Sequence, residues 1–473
     1  MKRLVAGLDL GSTGIKVLVA DENGTEIAIR QRPTPWRDGP GGTTDMLADD
    51  LVATVRSLLE DVATALPDLT GDPAARIAAV AVSGMGETGF VIGATGEVAA
   101  PAFAWFDPRG QHQVETLPDT LRTEFAGRTG LPWGVQVSVA KILHLRDAGL
   151  DLSGAQWCNL PEFVVAALGG RLVGELSLMS RTGLLDQDSG AAWSDMLAYL
   201  GVDEAFLPPL VAAGADLGRA DAPWLPGALA GAALTVAGHD HLVSAVSGGA
   251  IAGDRYHVSM GTAEVLLRVT DTPLSFAARD RLARSLINCV QHVVPGQHVL
   301  VAGVKTGLLM RRVLQLVGIN DRDGRDRLDA EVLSLGGGSA LATGGLEVWG
   351  ARNDDGVLHL TVRSDGVSPA EVFRAVLEHG NDEIALLIDA MDRELPPARS
   401  TLLTGGWADM RSVHHARSRV LPAVDVSQRS QDTAFGAVLF AARLLATTDQ
   451  PEASGDAHAS HDDFGVVITS QPR

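Results

Sequence analysis

Three acids and three glycine bends supply the residue types that chemistry on a phosphate needs. Residues 4–28 read LVAGLDLGSTGIKVLVADENGTEIA: two apolar runs flank Gly11-Ser12-Thr13-Gly14, and Asp9 sits at the end of the first. Such a turn lets backbone N–H groups approach an anion, and Ser12 and Thr13 add hydroxyl donors. A carboxylate at the strand end can order water around a phosphate-bound Mg²⁺. A plain hairpin with a polar turn has the same residues. The nucleotide loop G-x-x-x-x-G-K-[ST] is excluded, because a strand and not a helix follows. A second bend, Ser259-Met260-Gly261-Thr262, offers the same choice, and with the first it can clamp a polyphosphate across a cleft. A third, LLTGGWADM, puts Gly405 and Gly406 after an apolar run, where a flat base can lie against backbone or the chain simply turns.

In GHDH, residues 238–241, the histidines could be metal ligands, but side chains alternating on a strand end diverge and no third ligand is near in sequence. Asp240 suits a general base that accepts a hydroxyl proton as the oxygen attacks phosphorus. It could equally cap the helix that follows.

The elements that must position these residues alternate strand and helix. Strands are expected over 4–10, 15–20 and 26–30, and a helix over 45–66 ending near Pro67. A buried strand follows at 77–85, then strands around a glycine turn within 87–109. Helices are expected at 138–147, 161–168, 305–317, 369–391 and 430–446, and a loop-rich stretch at 208–231. Residues 234–251 read as strand, polar turn and helix, and 256–269 as strand, turn and strand. Placing Gly261 on Gly11 aligns SMGTAEVLLRV with DLGSTGIKVLV, so one hairpin recurs about 250 residues later, as in two related domains around a cleft.

With 473 residues, 46% hydrophobic and 20% charged, the chain is expected to form two or three globular domains. A net charge of −20 argues against bulk nucleic-acid binding. Two cysteines are too few for a disulfide framework, and neither a signal peptide nor a membrane-length apolar run is visible, so the expected location is cytoplasmic.

In this order and spacing the motifs resemble the FGGY family of carbohydrate kinases, over about residues 4–445. The resemblance implies an α/β fold with two actin-like, ribonuclease H-like ATPase domains flanking a central catalytic cleft. Residues 1–231 would be the sugar-binding N-terminal domain, 232–446 the domain with the base and ATP, and 447–473 a flexible tail. It implies ATP and Mg²⁺ as cofactors, with Asp9 organising the metal through water. Gly11, Ser12 and Thr13 would approach the β- and γ-phosphates, with Gly261 and Thr262 as the second phosphate turn. Gly307 and Arg311 would lie near the nucleotide, Gly405 and Gly406 would take the adenosine, and Asp240 would be the base. Trp407 stands where a small residue is common.

On the substrate side, AVAVSGMGETGFVIG resembles the glycerol-kinase segment whose Arg-Glu pair holds polyol hydroxyls. Glu87 occupies the glutamate position, and Gly86 the arginine position. The Gln-Met-His of xylulokinases would fall on Met85, Gly86 and Glu87, so neither pattern is copied. Gly86 is expected to leave room for a substrate longer than glycerol. In AWFDPR, Trp105 would line the pocket while Asp107 and Arg109 brace it. Gln136 aligns with an aromatic polyol contact, and Lys141 with a lysine beyond it. Met85, Gly86, Glu87, Trp105, Asp107, Gln136 and Asp240 thus form the expected substrate set. The expected activity is phosphorylation of a ketose such as xylulose, on chain length and the missing arginine. Glu87 favours the alternative, a glycerol- or erythritol-type polyol kinase. A catalytically silent nucleotide sensor of the same fold is a third reading, opposed by Asp9 and Asp240. The partner is a small sugar or polyol, with no nucleic acid or membrane, and a homodimer is the family's frequent state.

Overall fold

A computed structural model describes residues 3–249, 252–336, 344–351, 357–427, 429 and 431–448. The opening hairpin forms as its pattern demands: β1 (Leu4–Leu10) and β2 (Gly14–Asp21) pair antiparallel, and β3 (Glu26–Pro33) adds to β2. All of β1 is buried, and its alternation feeds two cores. Leu4, Ala6, Leu8 and Leu10 face the core that includes α1 (Ala48–Thr70), while Val5 joins the opposite core.

Helix α1 passes through Pro67, where it was expected to end. Proline there forfeits one backbone bond in the last turn, Leu66 is buried beside it, and Gly71 stops the helix in the left-handed region at φ 67°. Next comes β4 (Ile77–Gly84), and the 87–109 stretch yields only short strands, Gly89–Ile92 and Ala102–Phe103. Helices Ser138–Asp147 and α2 (Leu160–Ala167) match expectation, and 208–231 is irregular apart from Leu210–Val211.

Beyond the irregular stretch, β5 (Ala233–His239) runs directly into α3 (Asp240–Ser247), without the expected turn. A second sheet follows from β6 (Arg255–Met260), β7 (Glu264–Thr270), β8 (Asn288–Gln291), β9 (His298–Val304), β10 (Ser400–Thr404) and β11 (Val424–Val426). Helices α4 (Thr306–Leu316), α5 (Pro369–Asp392) and α6 (Asp432–Thr448) fall where periodicity puts them. Ser368 and Glu371 close a capping box at the start of α5, with Pro369 at its first position.

The first sheet has the order β5-β4-β1-β2-β3 and the second β11-β10-β6-β7-β9-β8. In each, two outer parallel strands precede an antiparallel hairpin, followed by one further antiparallel strand in the first sheet and two in the second. The echo between Gly11 and Gly261 is thus a repeated topology. Strand β5 pairs with β4, and α6 lies across β1, β4 and β5. Gly7 permits that approach, since a Cβ there would meet the Ala434 carbonyl at 2.2 Å. A division at 231 would cut β5 from its sheet. The expected tail lies, from residue 449 onward, outside the described residues. Cys158 and Cys289 are free and buried. No helix among the described residues is long and apolar enough to cross a membrane.

Candidate active site

Register brings the acids together. Parallel pairing sets Asp9 of β1 opposite Ser83 of β4, and Ser83 opposite Gly238 of β5, so three strands end at one level. Glu87 follows β4 and Asp240 follows β5 at that edge. The β5 register slips between Val236 and Gly238, and Gly238 adopts φ 106°. A Cβ there would meet Ser177 Oγ at 2.6 Å and Glu175 Oε2 at 3.1 Å. Ser177 Oγ donates to Glu175 (2.6 Å) and accepts from the His239 N–H (3.1 Å), which fastens the bend carrying Asp240.

Asp240 and Asp9 repel, and the charge is shared unequally. Burial would push the Asp240 carboxyl up, but His241, His239, the His241 N–H and Arg181 together hold it below the usual range. The His241 N–H donates to Oδ1 at 2.6 Å, and His239 Nε2 lies 3.4 Å from the same oxygen. Burial, with Arg181 adding, keeps His239 neutral. Asp240 is therefore an ionised carboxylate in the first turn of α3, and the capping position belongs to His239. Asp9 bears the cost: burial first, then Asp240, raises it to about 7 against the pull of Lys16.

The second sheet gathers the remaining glycines. Ser259 pairs with Thr404 and Glu264 with Val304, so the Gly261-Thr262 bend, Gly405 and the start of α4 share one edge. Leu308 N–H donates to the Thr262 carbonyl (2.8 Å), and a Cβ on Gly307 would lie 1.9 Å from the Gly261 carbonyl oxygen. Gly405, at φ 89°, also passes close to Met260, whose carbonyl oxygen an added Cβ would meet at 2.7 Å, whereas Gly406 faces open space. Behind the bend, buried Glu264 accepts from Thr306 Oγ1 (2.6 Å) and from Arg417 Nε (2.6 Å) and Nη2 (2.8 Å). Trp407 packs toward Phe373, ring centroids 6.5 Å apart. Arg311 is exposed on α4. In the first bend, Thr34 Oγ1 donates to the Gly11 carbonyl and Trp36 Nε1 to that of Ser12, while Thr13 stays exposed.

The substrate set divides. Glu87 is buried in the left-handed region at φ 60°, a strained geometry for a residue with a side chain. Burial raises its carboxyl despite the ion pair with Arg181, and Asp240 adds to the rise. The room expected beside Gly86 is filled, since an added Cβ would meet His239 Cδ2 at 2.8 Å and Arg181 Nε at 2.9 Å. Met85, just past the end of β4, is buried in the same apolar core as Val80 and Val82, its N–H bound to the Leu10 carbonyl. Asp107 is wholly buried and accepts from the N–H of Thr44 (2.6 Å), the N–H of Arg109 (2.8 Å) and the Arg109 guanidinium. It is a brace and not a substrate contact. Lys141 completes the brace by donating to the Asp107 and Arg109 carbonyls, and burial lowers it to about 8. Trp105 is half-buried, edge-on to Phe106, which stands edge-on to Trp36. Gln136 makes no hydrogen bond among the described residues and is not joined to Glu87 or Asp240. Arg181, His239 and His241 escape a sequence reading of the substrate side, because only the fold brings residue 181 to residue 87.

The donor set fits Mg²⁺. Asp9 accepts no hydrogen bond among the described residues, and a buried carboxylate held against a second one suits a hard cation. No group of three His, Cys, Asp or Glu among the described residues could cage a metal. A stability test follows from Asp9. Between the ordinary value of 3.8 and about 7, the folded state holds a proton that the unfolded chain has lost, so Asp9 lowers stability as pH rises through that window. In metal-free protein, Asp9→Asn should therefore raise stability at pH 8 by on the order of 2–4 kcal/mol, with the gain shrinking toward pH 4. Thermal melts at both ends of the window read it. A variant less stable than its parent at pH 8 would make Asp9 a structural partner.

Residues 4–247 match the N-terminal domain of the FGGY family of carbohydrate kinases. A glycerol kinase of Xanthobacter autotrophicus is 27% identical over 474 residues, covering 93% of this chain and 90% of its own. A glycerol kinase of Agrobacterium fabrum is 27% identical over 269 residues, 55% of this chain and 50% of its own. Among solved structures, a "xyloylose kinase" from Brucella ovis superposes with TM-score 0.82 at 19% identity, covering 99% of this chain and 93% of its own. Plasmodium falciparum glycerol kinase with ADP gives 0.83 at 15% identity, covering 100% and 93%. At these identities the superpositions show a shared fold.

Proposed function

The chain belongs to the FGGY family of carbohydrate kinases, and from that premise we propose that it transfers the γ-phosphoryl group of ATP to a hydroxyl of a short neutral polyol. The observation that carries the reading is the buried Glu87–Arg181 pair beside ionised Asp240. The ketose expectation leaned on a missing arginine, and Arg181 brings a guanidinium to that space. The glycerol kinases among the relatives support the polyol reading.

In this mechanism the two glycine bends hold the triphosphate, and Glu87 and Trp105 orient the acceptor. Asp240 takes the hydroxyl proton as that oxygen bonds to the γ-phosphorus and the bond to the departing ADP oxygen breaks. Mg²⁺, held at Asp9 through water, would neutralise phosphate charge. His239, kept neutral, does not compete for the proton. The silent-sensor reading leaves Asp240 without a purpose, since a group that only senses nucleotide needs no ionised acid facing a hydroxyl.

Coupled ADP release with glycerol, erythritol, longer polyols, ketopentoses and sugar acids tests the reading. Polyols should give kcat/KM at least about tenfold above ketopentoses, the value of one well-made polar contact. A ketopentose preferred by that margin would refute it, and ATP hydrolysis that no acceptor enhances would refute transfer altogether.

A further inference from the structure

Arg181 is a buried cation with unused donors. Its side chain pairs through Nη2 with Glu87 Oε1, yet Nε and Nη1 are shielded from solvent and meet no acceptor among the described residues. Buried donors of a guanidinium are expensive to leave unpaired, and beside Glu87 and Asp240 the missing acceptor is most simply a ligand oxygen. The surrounding backbone is rigidly tied. The Arg181 N–H donates to Leu178 (3.1 Å), Ser180 Oγ to Ser177 (3.0 Å), and Val139 N–H to the Thr182 carbonyl (2.9 Å). Gly86 is the condition for this placement, because a Cβ there would sit within 3.0 Å of both Nε and Cδ of Arg181.

We propose that Arg181 determines acceptor specificity: from a position 94 residues beyond Glu87 it supplies the guanidinium that residue 86 lacks, and its free N–H groups hold hydroxyl oxygens of the acceptor. A hydroxyl is both acceptor and donor, so one that takes a hydrogen bond from Arg181 can give one to Glu87. The pair therefore reads hydroxyl groups and rejects a group that can only accept. Charge points the same way. Glu87 and Asp240 share one guanidinium, so sugar acids and sugar phosphates meet net repulsion while neutral polyols do not. The assignment rests on the polyol reading above for its substrate class.

The test compares the parent with Arg181→Ala and with Arg181→Ala/Glu87→Gln, which also removes the partner charge and guards against misfolding. KM for the best acceptor should rise about 10- to 100-fold in Arg181→Ala, with KM for ATP within about twofold. Guanidinium chloride at about 20 mM should recover part of that loss in Arg181→Ala and none in a Glu87→Gln control. An unchanged acceptor KM in both variants would overturn the proposal. So would both KM values rising together with a fall in melting temperature and no rescue, the signature of a structural ion pair. The parent's own panel keeps the two readings separate. If a ketose proves the best acceptor and Arg181→Ala raises its KM, the polyol reading fails and the Arg181 assignment stands. A parent that prefers sugar acids overturns the charge argument.

Discussion

Asp240→Asn is expected to lower kcat by about 10²–10⁴-fold while KM for ATP moves by less than about twofold. The amide keeps the size of the side chain and its hydrogen bond from the His241 N–H, but it cannot accept the acceptor's proton. The structure makes the substitution clean. Asp240 is held ionised by His241, His239 and Arg181 against its own burial, so the parent side chain is a ready base at neutral pH. Removing its charge also relieves Asp9, whose carboxyl should fall from about 7 toward its ordinary value. A variant that phosphorylates at the parent rate would remove Asp240 from the chemistry.

Gly307→Ala is the second large effect, and two terms of opposite sign compete in it. Alanine in a helix gains about 1 kcal/mol over glycine. Against that, the new Cβ would sit 1.9 Å from the Gly261 carbonyl oxygen and 3.0 Å from that of Thr262, both backbone atoms that yield only if the bend moves. The overlap wins, and the displaced bend is the one proposed to grip the phosphates. A shift on the order of 1 Å in a positioning element costs about 10²-fold in rate. We expect kcat/KM for ATP to fall by that order while the acceptor's KM is little changed. Steady-state ADP release with each substrate varied, and a thermal melt for folding, separate the outcomes. Unaltered use of ATP would mean that the Gly261 bend does not touch the nucleotide.

The bends and the two aspartates were legible in the sequence because their signals are local. An apolar run, a glycine and a second apolar run specify a hairpin, and an acid at the end of such a run has few places to go. The repeat of Gly11 at Gly261 carried the double-sheet topology with it. Arg181 was invisible for the opposite reason. It follows a four-residue helix, Leu176–Met179, with no periodicity, and meets Glu87 only through folding. Gly86 therefore reads as open space until the structure fills it. Met85 and Asp107 misled because resemblance locates a motif but not the direction of each side chain. The chain leaving β4 turns Met85 into the core, and Arg109 and Thr44 consume the oxygens of Asp107. The pairing of β5 with β4 joins strands about 150 residues apart, which no local pattern encodes.

The central claim is that the Gly11–Thr13 bend, the Gly261-Thr262 bend and Asp240 act on one nucleotide. A crystal structure with Mg²⁺, a non-hydrolysable ATP analogue and the preferred acceptor measures this directly. The account predicts the β- and γ-phosphates in contact with both bends and the acceptor oxygen hydrogen-bonded to Asp240. A nucleotide bound to one bend only, with Asp240 facing neither acceptor nor γ-phosphate, would contradict it.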